Sequence, residues 1–196
     1  MKMWLFFVSL CWLCSFAVDA QINETDATGR KQGVWIISYP TGIPRQIDHF
    51  KDDMRHGPVF TFSASGQLLS SQFYRWGLLD SLQLLCDYAG RKQQETQYKA
   101  GKKEGVDRGF YTNGKPKEEV SYAYDVRNGP SIWYYESGSV AAIYPYIQGN
   151  IHGEVVSFYE DGTVKMKQIY SKNEPGAFEK FHPDGSLAEK SKAQQR

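Results

Sequence analysis

The chain is poor in cysteine and has no excess of charge of either sign. Its 196 residues include three cysteines. Two of them, Cys11 and Cys14, lie in an apolar N-terminal run, so removal of that run would leave Cys86 without a partner for an internal disulfide. The formal net charge of +1 excludes the strongly basic field typical of nucleic-acid binding and the polybasic cluster that attracts anionic membranes. We therefore expect no nucleic-acid partner.

Long apolar runs are also absent, except at the N-terminus. Lys2 precedes an uncharged stretch, Met3 to Val18, of 16 residues, whereas a membrane-spanning helix needs roughly 20. Val18 and Ala20 supply the small residues that precede a signal-peptidase cut. This pattern predicts a signal peptide cleaved near Ala20 and an exported protein, periplasmic or secreted, with a retained anchor as the alternative. A lipoprotein signal is disfavoured because Trp12 and Leu13, which are not small, precede Cys14.

Sequence patterns that carry catalysis are missing as well. The chain has no nucleophile elbow, P-loop or H-E-x-x-H motif. Adjacent acids such as Glu118 and Glu119 point apart on a strand, which disfavours shared acid–base work. His56 and His152 occupy the same position of a repeat, four units apart, and are interpreted as polar turn residues rather than metal ligands. We expect no catalytic residue, metal or cofactor.

What the sequence does contain is a repeat of 24 residues. Three series of positions share this period, two of glycine and one of aromatic residues. The first runs through Gly33, Gly57, Ser81, Gly105, Gly129 and Gly153, the second through Gly42, Gly66, Gly90, Gly114, Gly138 and Gly162, and the third through Phe50, Tyr74, Tyr98, Tyr122, Tyr146 and Tyr170. Such a pattern indicates an array of one small structural unit.

Each unit is expected to be a β-hairpin. In the fifth unit, Ser131 to Tyr135 is rich in β-prone residues, Glu136-Ser137-Gly138 is a turn signal, and Val140 to Tyr146 is a second β-prone run. A slightly longer turn, Gln148-Gly149-Asn150, then leads to the next unit. Interior glycines recur too often for helices, each costing about 1 kcal/mol. The predicted fold class is all-β, an elongated single-layer antiparallel sheet of consecutive hairpins.

Strand alternation assigns these side chains to two faces. The third and fifth residues after the leading glycine, such as Phe60 and Phe62, share one face. In the second strand, the column of Leu68, Val140, Val164 and Leu187 lies six residues before the aromatic column, and an even offset places both on one face. We expect the core to combine these apolar rows with the aromatic column, and Cys86 to be a small buried residue within it.

The pattern resembles a known family. Gly129, Tyr134-Tyr135, Ser137-Gly138 and Tyr146 follow the order typical of MORN-type repeats, and the closer resemblance is to the MORN-repeat-variant group, or YwqK-type antitoxins. The resemblance covers roughly residues 29 to 190. It implies an elongated, twisted sheet of hairpins that binds rather than catalyses, as a scaffold, at a membrane or as a toxin neutraliser. The third unit departs from the pattern, and an export signal fits poorly with neutralising a cytoplasmic toxin.

The organisation expected is a signal peptide at 1–20, a lead-in at 21–32, the repeat array at 33–190 and a charged tail at 191–196. The face opposite the expected core is the predicted partner-binding surface, unless sheet twist and long side chains bury much of it. Its proposed residues are Trp35, Ile37, Tyr39, Tyr111, Trp133, Tyr135 and Tyr159. The function predicted is a non-enzymatic, exported protein–protein interaction module, immunity-like or an envelope scaffold. The alternative is a glycan- or lipid-binding module of the cell envelope, with Trp35, Trp133 and Tyr135 stacking on sugars.

Overall fold

A computed structural model describes residues 22–191; the predicted signal peptide and almost all of the predicted tail lie outside this range. Every regular element within it is a β-strand. The strands are β1 (Glu24–Thr25), β2 (Lys31–Ser38), β3 (Pro44–Lys51), β4 (Met54–Arg55), β5 (Gly57–Phe62), β6 (Leu68–Arg75), β7 (Leu78–Leu79), β8 (Ser81–Cys86), β9 (Lys92–Lys99), β10 (Lys102–Phe110), β11 (Pro116–Ala123), β12 (Val126–Tyr134), β13 (Val140–Ile147), β14 (Asn150–Ile151), β15 (Gly153–Phe158), β16 (Val164–Ser171), β17 (Glu174–Phe181) and β18 (Leu187–Ser191). Among these residues there is accordingly no helix with the length and apolarity that a membrane crossing requires.

The strands form one open antiparallel sheet in which neighbours in sequence are neighbours in space. The two-residue strands β4, β7 and β14 extend the turn ends of β3, β6 and β13, whose main partners are β5, β8 and β15. The strands β1 and β18 lie at the two edges. This arrangement confirms the predicted fold class.

Two kinds of turn alternate along the array. In the first, a three-residue turn, Gly42 N donates to Tyr39 O at 2.9 Å, and Gly42 has a φ of 85°. The second kind, expected to be longer, is the shorter one: Asp52 and Asp53 both have positive φ, 52° and 64°, as in a two-residue type I′ turn. Such turns match the right-handed twist of the strands. Asn150, which the sequence pattern places in the longer turn, instead belongs to β14 and pairs with β13.

The register contradicts the predicted core. Gly57 lies opposite Tyr74, and Val59 lies opposite Gln72. Residues directly opposite in an antiparallel pair share a face, so Tyr74 lies with Val59 and not with Phe60. The prediction that the aromatic column shares a face with the third and fifth residues of each unit was wrong.

The prediction that the aromatic column shares a face with the column of Leu68 was wrong as well, because Leu68 lies opposite Phe62. A β-bulge shifts the register after Thr61. Side-chain alternation within one strand shows which of its own residues share a face, but it does not show which residues of the partner strand share that face beyond a bulge.

The core lies on the face that carries the aromatic column, which we name the tyrosine face. It presents Phe50, Tyr74, Tyr98, Tyr122, Tyr146 and Tyr170, beside a central row of small buried residues. Among the described residues, the buried apolar side chains are Val59, Val120, Ala142 and Val155, and Asp48, Ser70, Thr96, Asp107 and Ser131 are buried with them. A single layer buries a residue only where longer neighbours shelter it, and this explains why the core is thin and its members are small. The opposite side, which carries Phe60, Phe62, Phe110, Phe158 and Phe181, is named the phenylalanine face.

Candidate functional site

Four of the seven predicted partner-binding residues are tyrosines whose hydroxyls bond to the next unit. Each hydroxyl donates to a backbone carbonyl 22 or 23 residues further along the chain. The bonds are Tyr39 to Phe62 O at 3.0 Å, Tyr111 to Tyr134 O at 2.7 Å, Tyr135 to Phe158 O at 2.8 Å and Tyr159 to Phe181 O at 2.9 Å. All four side chains are half-buried. They hold successive hairpins together, so their hydroxyls are already engaged within the chain.

Trp35 is also engaged within the protein. Its Nε1 donates to Gln32 O at 3.1 Å, and its ring meets Phe50 edge-on at 6.1 Å. The Lys31 ammonium lies 4.6 Å from the centroid of the Trp35 ring and 4.9 Å from that of Phe50. These contacts cover the N-terminal end of the tyrosine face and leave Trp35 half-buried.

The remaining two predicted residues, Ile37 and Trp133, are the exposed ones, at 44% and 40%. They hold the same repeat position four units apart. Trp133 lines a cavity of about 310 Å³ with Ala142, Tyr144 and Tyr146. Sequence reasoning missed Tyr144 as a site residue, although a tyrosine in a column otherwise held by smaller or polar residues was a visible signal. That the seven residues bind a partner stays a prediction.

Buried charge on the tyrosine face is paired. Asp48 accepts from Arg55 Nε at 2.9 Å. Asp107 accepts from Lys103 Nζ at 2.6 Å and from Thr96 Oγ1 at 2.9 Å. Burial alone would lower the pKa of Lys103, but the hydrogen bond to Asp107 and its charge outweigh burial and raise it. These pairs belong to separate units and serve packing rather than proton transfer. Residues 22–191 contain no cluster of three or more side chains that could hold a metal ion.

More large apolar side chains are exposed on the phenylalanine face than on the tyrosine face. The aromatic row of the phenylalanine face is half-buried. Six further large apolar side chains on this face are exposed: Met54 at 42%, Leu78 at 52%, Leu82 at 47%, Val126 at 44%, Ile147 at 53% and Ile169 at 49%. The strand pairing shows which face each side chain occupies. For example, Ser81 pairs with Tyr98 on the tyrosine face, so Leu82, the next residue, lies on the opposite face. Sequence reasoning missed this surface because it had assigned the phenylalanine row to the core.

Cys86 and His56, whose side chains could be reactive, pack against neighbouring residues of the sheet. Cys86 is half-buried on the phenylalanine face rather than fully buried as expected. Burial, reinforced by the Asp87 carboxylate, raises the pKa of its thiol, which disfavours the reactive thiolate. His56 stacks on Trp76 with ring centroids 4.6 Å apart, and its Nδ1 lies 3.4 Å from Trp76 N. His56 lies between β4 and β5, and its backbone N donates to His49 O at 2.8 Å, so the interpretation of His56 as a turn residue was wrong: it belongs to the strand pairing beyond the turn.

Comparison with known proteins agrees with this architecture. The family model of the MORN repeat variant matches residues 103–124, 127–148 and 151–172. No curated protein matches the chain. The three matched segments are consecutive hairpins of the sheet, each holding one member of the aromatic column. Proteins built from MORN repeats are generally non-catalytic binding modules, and the match suggests a repeat-based interaction module. Residues 103–172 therefore consist of three consecutive repeats that match the MORN repeat variant.

Proposed function

We propose that this chain is a non-enzymatic, exported module that docks a protein partner on its phenylalanine face. The observation that carries the proposal is the row of exposed apolar side chains there, running from Met54 to Ile169 beside the half-buried phenylalanines. Large exposed apolar patches usually mark interaction sites. On the tyrosine face, by contrast, small side chains are sheltered and the buried carboxylates Asp48 and Asp107 are paired within the chain.

The dimensions of the surface suit a protein partner. Neighbouring strands lie about 4.8 Å apart, so the seven steps from β8 to β16 separate Leu82 from Ile169 by roughly 34 Å along the sheet. A patch of that length, and as broad as a seven-residue strand is long (about 23 Å), approaches the roughly 800 Å² per partner of a standard protein–protein interface. Because a hairpin array is built from directly bonded neighbours, the surface can be presented without a large change of shape.

Charges around this patch favour a protein over an anionic membrane. Arg108 and Glu119 pair on the phenylalanine face with Nε and Oε1 3.2 Å apart, and Lys92 Nζ lies 2.6 Å from Glu95. Mixed, locally neutralised charge around an apolar strip is typical of the rim of a protein interface. With a net charge of +1, the chain offers little attraction to anionic lipid.

The proposed location of this module is outside the cytoplasm. The N-terminal run from Met3 to Val18 supports a cleaved signal, so an envelope scaffold or an immunity-like partner outside the cytoplasm fits better than neutralisation of a cytoplasmic toxin. The N-terminal residue of the protein recovered from its host tests this directly. We expect Gln21, in the fraction outside the cytoplasmic membrane; an intact Met1 on a cytoplasmic protein would contradict export.

Docking on the phenylalanine face is tested by capture of the tagged protein from its own envelope fraction. The double variant Leu78→Glu/Leu82→Glu places two charges on this face at side chains that are 52% and 47% exposed, so folding should be little affected. Ile37→Glu, on the tyrosine face at 44% exposure, is the matched control. We expect the double variant to lose a protein that the wild type and the control both retain. Retention by the double variant, or equal loss in the control, would contradict docking on this face.

A further inference from the structure

A cavity on the tyrosine face in the fifth unit is built from aromatic rings around a small floor. Ala142, Tyr144 and Tyr146 alternate along β13 on this face, and Trp133 lies directly opposite Ala142 on β12. The small alanine leaves the rings as walls around a space of about 310 Å³. This volume is at the lower end of the range for ligand pockets, about 300 to 1,000 Å³, and admits one ring-sized group.

This combination of residues is specific to the fifth unit. Elsewhere the same positions carry side chains that bond to one another: Gln46 Nε2 donates to Asp48 at 2.6 Å in the first unit, and Thr61 and Ser70 share a 2.7 Å hydrogen bond in the second. Aromatic rings at the positions of Trp133 and Tyr144 are not required by the hairpin repeat, because the other units form the same ladder without them. The cavity therefore needs an explanation other than folding.

Polar groups at the cavity are left without partners. Within residues 22–191, neither Trp133 Nε1 nor Tyr144 Oη makes a hydrogen bond, whereas Trp35 Nε1 and Tyr135 Oη both donate to backbone carbonyls. Ser131, the register partner of Tyr144, is 2% exposed, and its Oγ has no hydrogen-bond partner. Buried hydroxyls are normally paired, because an unpaired one loses its bonds to water without replacement.

From this geometry we propose that the cavity binds a neutral pyranose ring of a carbohydrate. The C–H faces of a sugar ring pack against aromatic rings, and its hydroxyls pair with the polar tips of Tyr and Trp. A cationic ligand is disfavoured, because no carboxylate lines the cavity and the Arg127 guanidinium already lies 5.3 Å from the Tyr146 ring centroid. An anion is disfavoured as well, because all four lining residues are uncharged.

Titration of the full-length chain with chitotriose, maltotriose and cellotriose, followed by calorimetry and tryptophan fluorescence, tests the site. We expect saturable binding of at least one trisaccharide and a roughly ten-fold or larger loss of affinity in Trp133→Ala, the loss expected for a central aromatic contact. Tyr144→Phe keeps the ring and removes the free hydroxyl, so its affinity should fall about five-fold, the equivalent of one neutral hydrogen bond.

Tyr74→Phe is the matched control, since it makes the same chemical change on the same face, in another unit, at a hydroxyl that is bonded within the chain to Gln72 Oε1 at 3.1 Å; its sugar affinity should equal that of the wild type. If Trp133→Ala fails to fold by circular dichroism, the two Tyr→Phe variants decide. No saturation with any of the three sugars, equal affinities in the two Tyr→Phe variants, or preferential binding of tetramethylammonium would each overturn the proposal. The result is independent of docking on the phenylalanine face, which lies on the other side of the sheet.

Discussion

Two adjacent valines provide a direct test of which face holds the core. Val155 lies on the tyrosine face and is 3% exposed, whereas Val156 lies on the phenylalanine face and is half-buried. Valine to alanine removes two methyl carbons, worth about 0.8 kcal/mol each when fully buried, and a residual cavity adds to this. Val155→Ala should therefore lower the free energy of unfolding by about 2 kcal/mol. Val156→Ala should cost less than about 1 kcal/mol, because part of its side chain is already in water.

Urea unfolding of both variants, followed by circular dichroism, measures this difference. The two substitutions are chemically identical and lie in the same strand, so strand propensity cancels between them. Because the array can unfold in steps, the midpoints are compared at equal m-value. A loss at Val156 equal to or larger than the loss at Val155 would refute the assignment of the core to the tyrosine face.

Three further predictions concern polar groups. Tyr135→Phe should lower the free energy of unfolding by about 1 kcal/mol, because it removes the hydrogen bond to Phe158 O. Tyr144→Phe should not lower it, and equal thermal midpoints for the two variants would contradict this prediction. Lys103→Met should cost about 2 kcal/mol, because it leaves the buried Asp107 carboxylate without its cation. Since the pKa of Lys103 is raised in the folded state, the stability difference between wild type and Lys103→Met should persist below about pH 10.5. It should be lost as the pH rises through the folded-state pKa of Lys103. Urea midpoints measured against pH test this, and loss of the difference at a lower pH would count against the ion pair. Ser131→Ala should leave stability unchanged or raise it by up to about 1 kcal/mol, because the hydroxyl is buried and unpaired; a clear fall in the melting temperature would show a missed partner.

Much of the hairpin array was predictable, because its requirements are local. Gly42 and its equivalents supply the positive φ of a three-residue turn, and this need is visible in sequence as a glycine every 24 residues. The type I′ turn was harder to recognise. Asp52 and Asp53 hold it in the first unit and Trp76 and Gly77 in the second, so no single dipeptide marks it.

The candidate surfaces were less predictable than the fold. The aromatic residues were found, but the exposed strip around Leu78 and Leu82 was missed. Exposure in a single-layer sheet depends on which neighbours lean over a residue, and strand alternation reports only the side on which the residue lies. The cavity beside Trp133 needed the same information, since Tyr144 lies on the next strand and eleven residues further along the chain.

The amino-acid order alone determined that the chain folds into repeated hairpins, because turn geometry and β-propensity act over a few residues and recur with the period. Only the tertiary structure decided which side of the sheet became the core. A bulge after Thr61 and its counterparts in other units sets how the rows of paired strands align. The long side chains of neighbouring strands then shelter the small residues between them. Both effects depend on contacts between strands, and neither can be read from one strand by itself.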